Sequence, residues 1–161
     1  MDAKERERKQ PTRRNMAEKK LILTVGLPRS GKTTWARQQG VPIVSPDAIR
    51  LALYGQRWIQ EAEPMVWSLA TYMVRSLFLA GHDVVILEAT SVTHGRRDQW
   101  LSSDWKPFVK IFRTPAEECE RRAMLTEQED LIPVIRRMVD DWQEPSEQWT
   151  VIESLEEINE N

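Results

Sequence analysis

The run Gly26-Leu27-Pro28-Arg29-Ser30-Gly31-Lys32-Thr33 meets the pattern G-x-x-x-x-G-K-[ST] at every fixed position and constrains the chain more than any other stretch. Such a loop works between a strand that enters it and a helix that leaves it, because its backbone N–H groups must converge beside a helix N-terminus. Both flanks are present. Leu21-Ile22-Leu23-Thr24-Val25 is a β-branched apolar run, and Thr34-Trp35-Ala36-Arg37-Gln38-Gln39 reads as a helix.

The residue types carry the chemistry. Gly26 and Gly31 permit backbone conformations that side chains would obstruct, so successive N–H groups can surround a phosphate. Lys32 reaches the β/γ-phosphates, and Thr33 offers a hydroxyl to Mg²⁺, which prefers oxygen ligands and stays partly hydrated. Gly26, Pro28, Arg29, Ser30, Gly31, Lys32, Thr33 and Thr34 together predict a triphosphate site for ATP with Mg²⁺. A glycine-rich turn with an incidental lysine would leave the flanking strand and helix unexplained.

A length of 161 residues suits one domain, and 40% apolar with 30% charged residues suits a soluble globular one. The net charge of −2 carries no global nucleic-acid signature, so any basic binding surface must be local. Residues 1–20 hold eight basic against four acidic side chains and no apolar periodicity. They read as a basic arm, either a solvated tail or a contact for nucleic acid. The chain is acidic from Asp140 onward, and residues 154–161 read as a fraying tail. The sole cysteine, Cys119, reads as a buried structural thiol in a reducing, cytoplasmic setting. No apolar run approaches the length of a membrane span, so no membrane association is expected.

After the first helix, residues 41–45 form a short strand and Pro46 opens a helix carrying Asp47 and Arg50 on one face. This pair would lie at the carboxyl edge of a parallel strand, where open α/β sheets place ligands. Asp47 then has two readings: a base that accepts a proton from an attacking hydroxyl, or a helix-start residue that caps its own helix and pairs with Arg50. Residues 55–60 link to a long helix over 61–80, whose Met65, Leu69, Tyr72, Met73, Ser76 and Leu77 approximate one face. Trp58 on the link is either a stacking platform for a base or a loop anchor.

A buried-strand run over 83–87 delivers Glu88 at its end, a carboxylate fit to organise hydrated Mg²⁺ or orient a hydroxyl. In the helix that follows, Arg97 is expected to aim back at the site, whereas His94 reads as a capping or surface residue. Trp100 and Trp105 are expected to cover the sheet. A fourth strand over 108–113 leads to a helix over 116–125 and, after a polar break, to another over 132–142. Arg121, Arg122, Arg136 and Arg137 flank that hairpin, which reads as a lid that excludes water and brings guanidinium charge to a migrating phosphoryl group. Residues 149–152 supply a last strand.

The segments GLPRSGKTT (26–34), SPDAIR (45–50), VVILEATS (84–91) and CERR (119–122) occur in an order that resembles the 5′-hydroxyl polynucleotide-kinase-like branch of P-loop kinases. The resemblance covers residues 21–152. It implies a P-loop NTPase α/β sandwich with a five-stranded parallel sheet in the order 2-3-1-4-5, a kinase domain over 21–153 and a helical lid near 121–137. It also implies Asp47 as general base toward a 5′-hydroxyl, Arg50 on the acceptor phosphate or transition state, Lys32 and Thr33 on the donor, and Arg122 as the first lid arginine. Two positions depart from the pattern: Glu88 stands where the family has aspartate, and Thr126 stands where it has a second lid arginine, a place Arg136 or Arg137 would fill. The expected partners are ATP and a nucleic-acid 5′-end. A nucleoside, sugar or antibiotic acceptor, and a non-catalytic ATP-binding switch, remain as alternatives.

Overall fold

The computed structural model describes residues 18–159. Strands β1 (Lys20–Val25), β2 (Ile43–Val44), β3 (Val84–Leu87), β4 (Lys106–Ile111) and β5 (Thr150–Val151) form one parallel sheet in the order β2-β3-β1-β4-β5. This is the α/β P-loop NTPase order that the resemblance implied. Helices α1 (Lys32–Arg37), α2 (Pro46–Tyr54), α3 (Glu63–Leu79), α4 (His94–Asp98), α5 (Ala116–Leu125) and α6 (Ile132–Asp141) supply the crossovers.

Strand β1 is central, paired on both edges and covered on both faces, which explains why all five residues from Leu21 to Val25 are buried. Leu21, Leu23 and Val25 join a core under α3, while Ile22 joins Ala36, Ile86 and Phe108 on the opposite face. Each such side chain contributes about 1.5–3 kcal/mol when fully buried. The sheet therefore holds the carboxyl end of β1, and the loop that follows it, in a fixed position.

Helix α3 buries a different stripe from the one its long apolar residues suggest. Val66, Ala70, Val74 and Phe78 face the sheet, whereas Met65 and Tyr72 are exposed at 56% and 70%. A four-residue spacing of mostly small side chains lets the helix sit close to the strands, and Leu69, Met73 and Leu77 fill its margin. Trp100 and Trp105 cover the sheet as expected, with Trp105 stacked on Phe78 at 5.6 Å.

Two ends of the chain differ from expectation or escape it. Residues 155–159 do not fray: they form a 3-10 turn (Leu155–Asn159) whose Ile158 is buried with Ile22 and Phe108, and Lys20 Nζ donates to Asn159 Oδ1 at 3.1 Å. One well-placed isoleucine anchors an otherwise acidic segment. The basic arm lies outside the described residues except for positions 18–20, and Lys20 already belongs to β1. Among the described residues no helix is long and apolar enough to cross a membrane.

Helices α5 and α6 form an antiparallel hairpin around Cys119, Ala123 and Ile135, and Leu27 of the phosphate loop is part of the same cluster. The hairpin is thus packed directly on the loop it was expected to cover. Cys119 is a buried free thiol within that packing.

Candidate active site

The loop between β1 and α1 owes its shape to its glycines. A Cβ on Gly26 would lie 2.6 Å from Ser30 Oγ and 2.9 Å from Phe112 Cβ, so only glycine lets the loop close against the end of β4. Gly31 has φ +104° and starts α1, and Arg29 is held at φ 66°. The Thr114 hydroxyl donates to Ser30 O at 2.8 Å, tying the loop to the strand beside it. On the other side the Thr24 hydroxyl donates to Ala89 O at 2.7 Å and accepts from Ala89 N at 2.9 Å. That clamp sets Glu88, at the end of β3, next to the loop.

Pro28 through Thr34 line a cavity of about 870 Å³. Gly26 lies beneath it rather than on its wall. The Thr33 hydroxyl is exposed and makes no hydrogen bond among the described residues, and the buried Glu88 carboxylate has neither ion pair nor hydrogen bond among them. No cluster of three or more His, Cys, Asp or Glu suited to a metal occurs among the described residues. One hydroxyl and one unspent carboxylate fit a magnesium ion held largely by water and substrate phosphates.

Lys32 is buried, and its Nζ donates to Leu27 O at 2.6 Å and reaches Ser30 Oγ at 3.4 Å. Burial pulls its pKa down to about 8, against the opposing pull of Glu88 and Asp47. A triphosphate bound at this loop supplies the missing negative charge and restores the proton. With magnesium saturating, ATP affinity is therefore expected to level off toward pH 7 and to approach a tenfold fall per pH unit above about pH 9, because the free chain must then take up a proton. Calorimetry in buffers of different ionisation enthalpy checks this: uptake of about one proton at pH 9 and none at pH 7, abolished in Lys32→Arg.

Across the cavity, Ser45 caps α2, its side chain accepting from Ala48 N at 3.2 Å, with Pro46 in the first turn. The cap is thus not Asp47, which lines the cavity with its side chain 65% exposed. The local pairing is real, however: Arg50 Nη1 donates to Asp47 Oδ1 at 2.6 Å. The other edge of the same guanidinium donates to Glu63 through Nε at 2.8 Å and Nη2 at 2.6 Å. Arg50 is buried, which by itself would lower its pKa, but Glu63 and Asp47 outweigh this and raise it, and its guanidinium carbon lies 5.5 Å from the centroid of the Trp58 ring and 6.0 Å from that of Trp67. Arg50 therefore holds Asp47 in place and has few donors left for a ligand. Glu63, which completes the assembly from the first turn of α3, carried no signal in the sequence.

The hairpin arginines separate into two groups. Arg122 and Arg137 line the cavity, Arg122 reaching back to donate to Arg29 O at 3.1 Å while its Nε pairs with Glu118. Arg136 instead pairs with Glu120 outside the cavity, at 2.8 Å, and Arg121 pairs with Glu118. Arg57 on the link after α2 pairs with Asp130 at the hairpin tip, joining two walls of the cavity. In α4 the expectation was off by one residue. Arg97 is fully buried, donating to Ser91 O at 2.7 Å and Gln143 O at 2.6 Å, and its neighbour Arg96 lines the cavity. Trp58 lines it too and is 56% exposed, whereas His94 is not on its wall.

A family model described as an AAA domain matches residues 21–145. The chain belongs to that family. Its α/β P-loop fold is shared by solved structures. A chain of the Pnkp1/Rnl/Hen1 RNA repair complex is 20% identical with a TM-score of 0.58, over 84% of this chain and 51% of that one. This chain thus spans about half the length of that relative. Shikimate kinase from Acinetobacter baumannii in complex with shikimate is 19% identical with a TM-score of 0.50, over 78% and 76% of the two chains. A gluconokinase from Sinorhizobium meliloti 1021 is 14% identical with a TM-score of 0.52, over 86% and 83%.

Proposed function

We propose that this chain is an ATP- and Mg²⁺-dependent kinase that moves the γ-phosphoryl group to a hydroxyl, with the 5′-hydroxyl of a nucleic acid as preferred acceptor. The observation that carries the reading is the shared cavity: the phosphate loop forms one side, and the carboxylate of Asp47, held by Arg50, faces the same space. Lys32 and the loop N–H groups hold the donor phosphates, and Thr33 with Glu88 would hold a magnesium ion, which would supply positive charge to offset that of the phosphates. Asp47 takes the hydroxyl proton as the acceptor oxygen bonds to the γ-phosphorus. The bond from that phosphorus to the β–γ bridging oxygen breaks, and ADP leaves. Arg122 and Arg137, both on the cavity wall, offset charge on the transferring group from the hairpin side, with Arg137 serving as the second arginine that Thr126 cannot be. Catalysis of this kind is positioning plus charge stabilisation.

The preference for a nucleic-acid end rests on Trp58, a half-exposed ring on the cavity wall beside Arg50, where a base can stack. The ion pair between Arg57 and Asp130 favours a second reading, because it narrows access and suits a small acceptor. Incubating the protein with γ-labelled ATP and separate pools of 5′-hydroxyl DNA, 5′-hydroxyl RNA and small hydroxyl compounds decides. Label in a nucleic-acid pool is expected, and label confined to the small compounds rejects the first acceptor.

A further inference from the structure

The arginines of this chain divide by what they are paired with. Arg50, Arg57, Arg75, Arg113, Arg121, Arg122 and Arg136 all face carboxylates. Arg97 is buried on two carbonyls. Of the four described arginines that remain, Arg29, Arg96 and Arg137 line the same cavity, and Arg37 lies elsewhere. Arg29 belongs to the phosphate loop and Arg137 to the hairpin. Arg96 is on a third wall.

Two contacts place Arg96 on the acceptor side. Its guanidinium lies 5.4 Å from the Trp67 ring, and the same ring lies 6.0 Å from Arg50, the residue that holds Asp47. Two cations thus share one indole. Arg50 is neutralised by Glu63 and Asp47, and Arg96 by nothing among the described residues. Stacking fixes a guanidinium by its face and leaves the N–H groups of its edge unspent, in the fork that matches a phosphate or carboxylate. The orientation is built in: Thr93 caps α4, and the adjacent Arg97 is locked to Ser91 and Gln143, so the helix cannot rotate Arg96 away.

We propose that Arg96 anchors a second, negatively charged group of the acceptor, a phosphate or a carboxylate near the hydroxyl that Asp47 deprotonates. The inference deepens the kinase reading and rests on it for the word acceptor. The substrate class it names is an anionic alcohol, such as a nucleotide with a free 5′-hydroxyl or a sugar acid, rather than a neutral nucleoside or sugar.

Binding can be read without turnover, because Trp58 and Trp67 report on this wall. The full chain, saturated with ADP and magnesium, is titrated by intrinsic fluorescence with adenosine, adenosine 3′-monophosphate and gluconate. At least one anion is expected to bind about tenfold or more tightly than adenosine, the size of one charge-assisted contact. Which anion gains tells phosphate from carboxylate. Arg96→Gln is expected to erase the gain while leaving adenosine and ADP binding unchanged, Arg96→Lys to restore part of it, and Arg75→Gln, paired with Asp104 outside the cavity, to leave it intact. No preference for either anion, including no binding of any probe, overturns the proposal. So does an Arg96→Gln variant that weakens charged and neutral probes alike. A chain that shows the Arg96-dependent preference yet transfers no label would overturn the kinase reading and leave the anion anchor standing.

Discussion

Replacing Asp47 by asparagine is expected to slow phosphoryl transfer by roughly 10²–10⁴-fold, the usual contribution of a positioned general base. ATP affinity should stay within about threefold, because the residue lies across the cavity from the phosphate loop. The substitution is well suited to the question. Asparagine keeps the oxygen that accepts from Arg50, and helix α2 is capped by Ser45, so neither the local pairing nor the helix start is lost. What disappears is the capacity to take a proton. Single-turnover rates together with the dissociation constant for ATP measure the two halves separately. An unchanged transfer rate would remove Asp47 from the base role and leave it as a partner of Arg50.

The second large effect is expected at Arg137. Its guanidinium reaches the cavity without an ion pair or hydrogen bond among the described residues, so its charge is available to the transferring group. Arg137→Ala should lower the transfer rate by roughly 10²–10³-fold, as removal of one pre-organised donor at developing charge does. Arg136→Ala is the matched control. That side chain is 70% exposed and engaged with Glu120, and its loss should change the rate by no more than about twofold, as for an exposed surface ion pair. Equal effects at the two positions, or a larger one at Arg136, would contradict the assignment of the hairpin's working arginine.

The contrast between those neighbours shows what the sequence could convey and what it could not. The phosphate loop was legible because its glycines, lysine and threonine answer to one geometry, and the sheet because its interior strands are short, mostly apolar and β-branched runs between turn signals. Asp47 was legible as a candidate, but its competing reading as a cap could only be removed by seeing Ser45 in that place. Choices between adjacent residues were not legible. Arg96 against Arg97, and Arg137 against Arg136, differ by about 100° around a helix whose absolute rotation is set by tertiary packing. Glu63 lies thirteen residues from Arg50, and only the packing of α2 on α3 brings the two within 2.6 Å. The long apolar side chains of α3 misled for the same reason: Met65 and Tyr72 are conspicuous, yet the helix approaches the sheet through Val66, Ala70 and Val74.

The central claim is that the phosphate loop and Asp47 are two halves of one transfer site, and a burst experiment with the protein in excess over γ-labelled ATP tests it most directly. Label release is followed with and without a 5′-hydroxyl oligonucleotide. The account predicts that the acceptor accelerates loss of label from ATP and that the label appears at the oligonucleotide's 5′-end rather than as inorganic phosphate. Label appearing only as inorganic phosphate, at a rate that neither the oligonucleotide nor a pool of small hydroxyl compounds changes, would contradict it and mark the chain as an ATP-hydrolysing or ATP-binding switch.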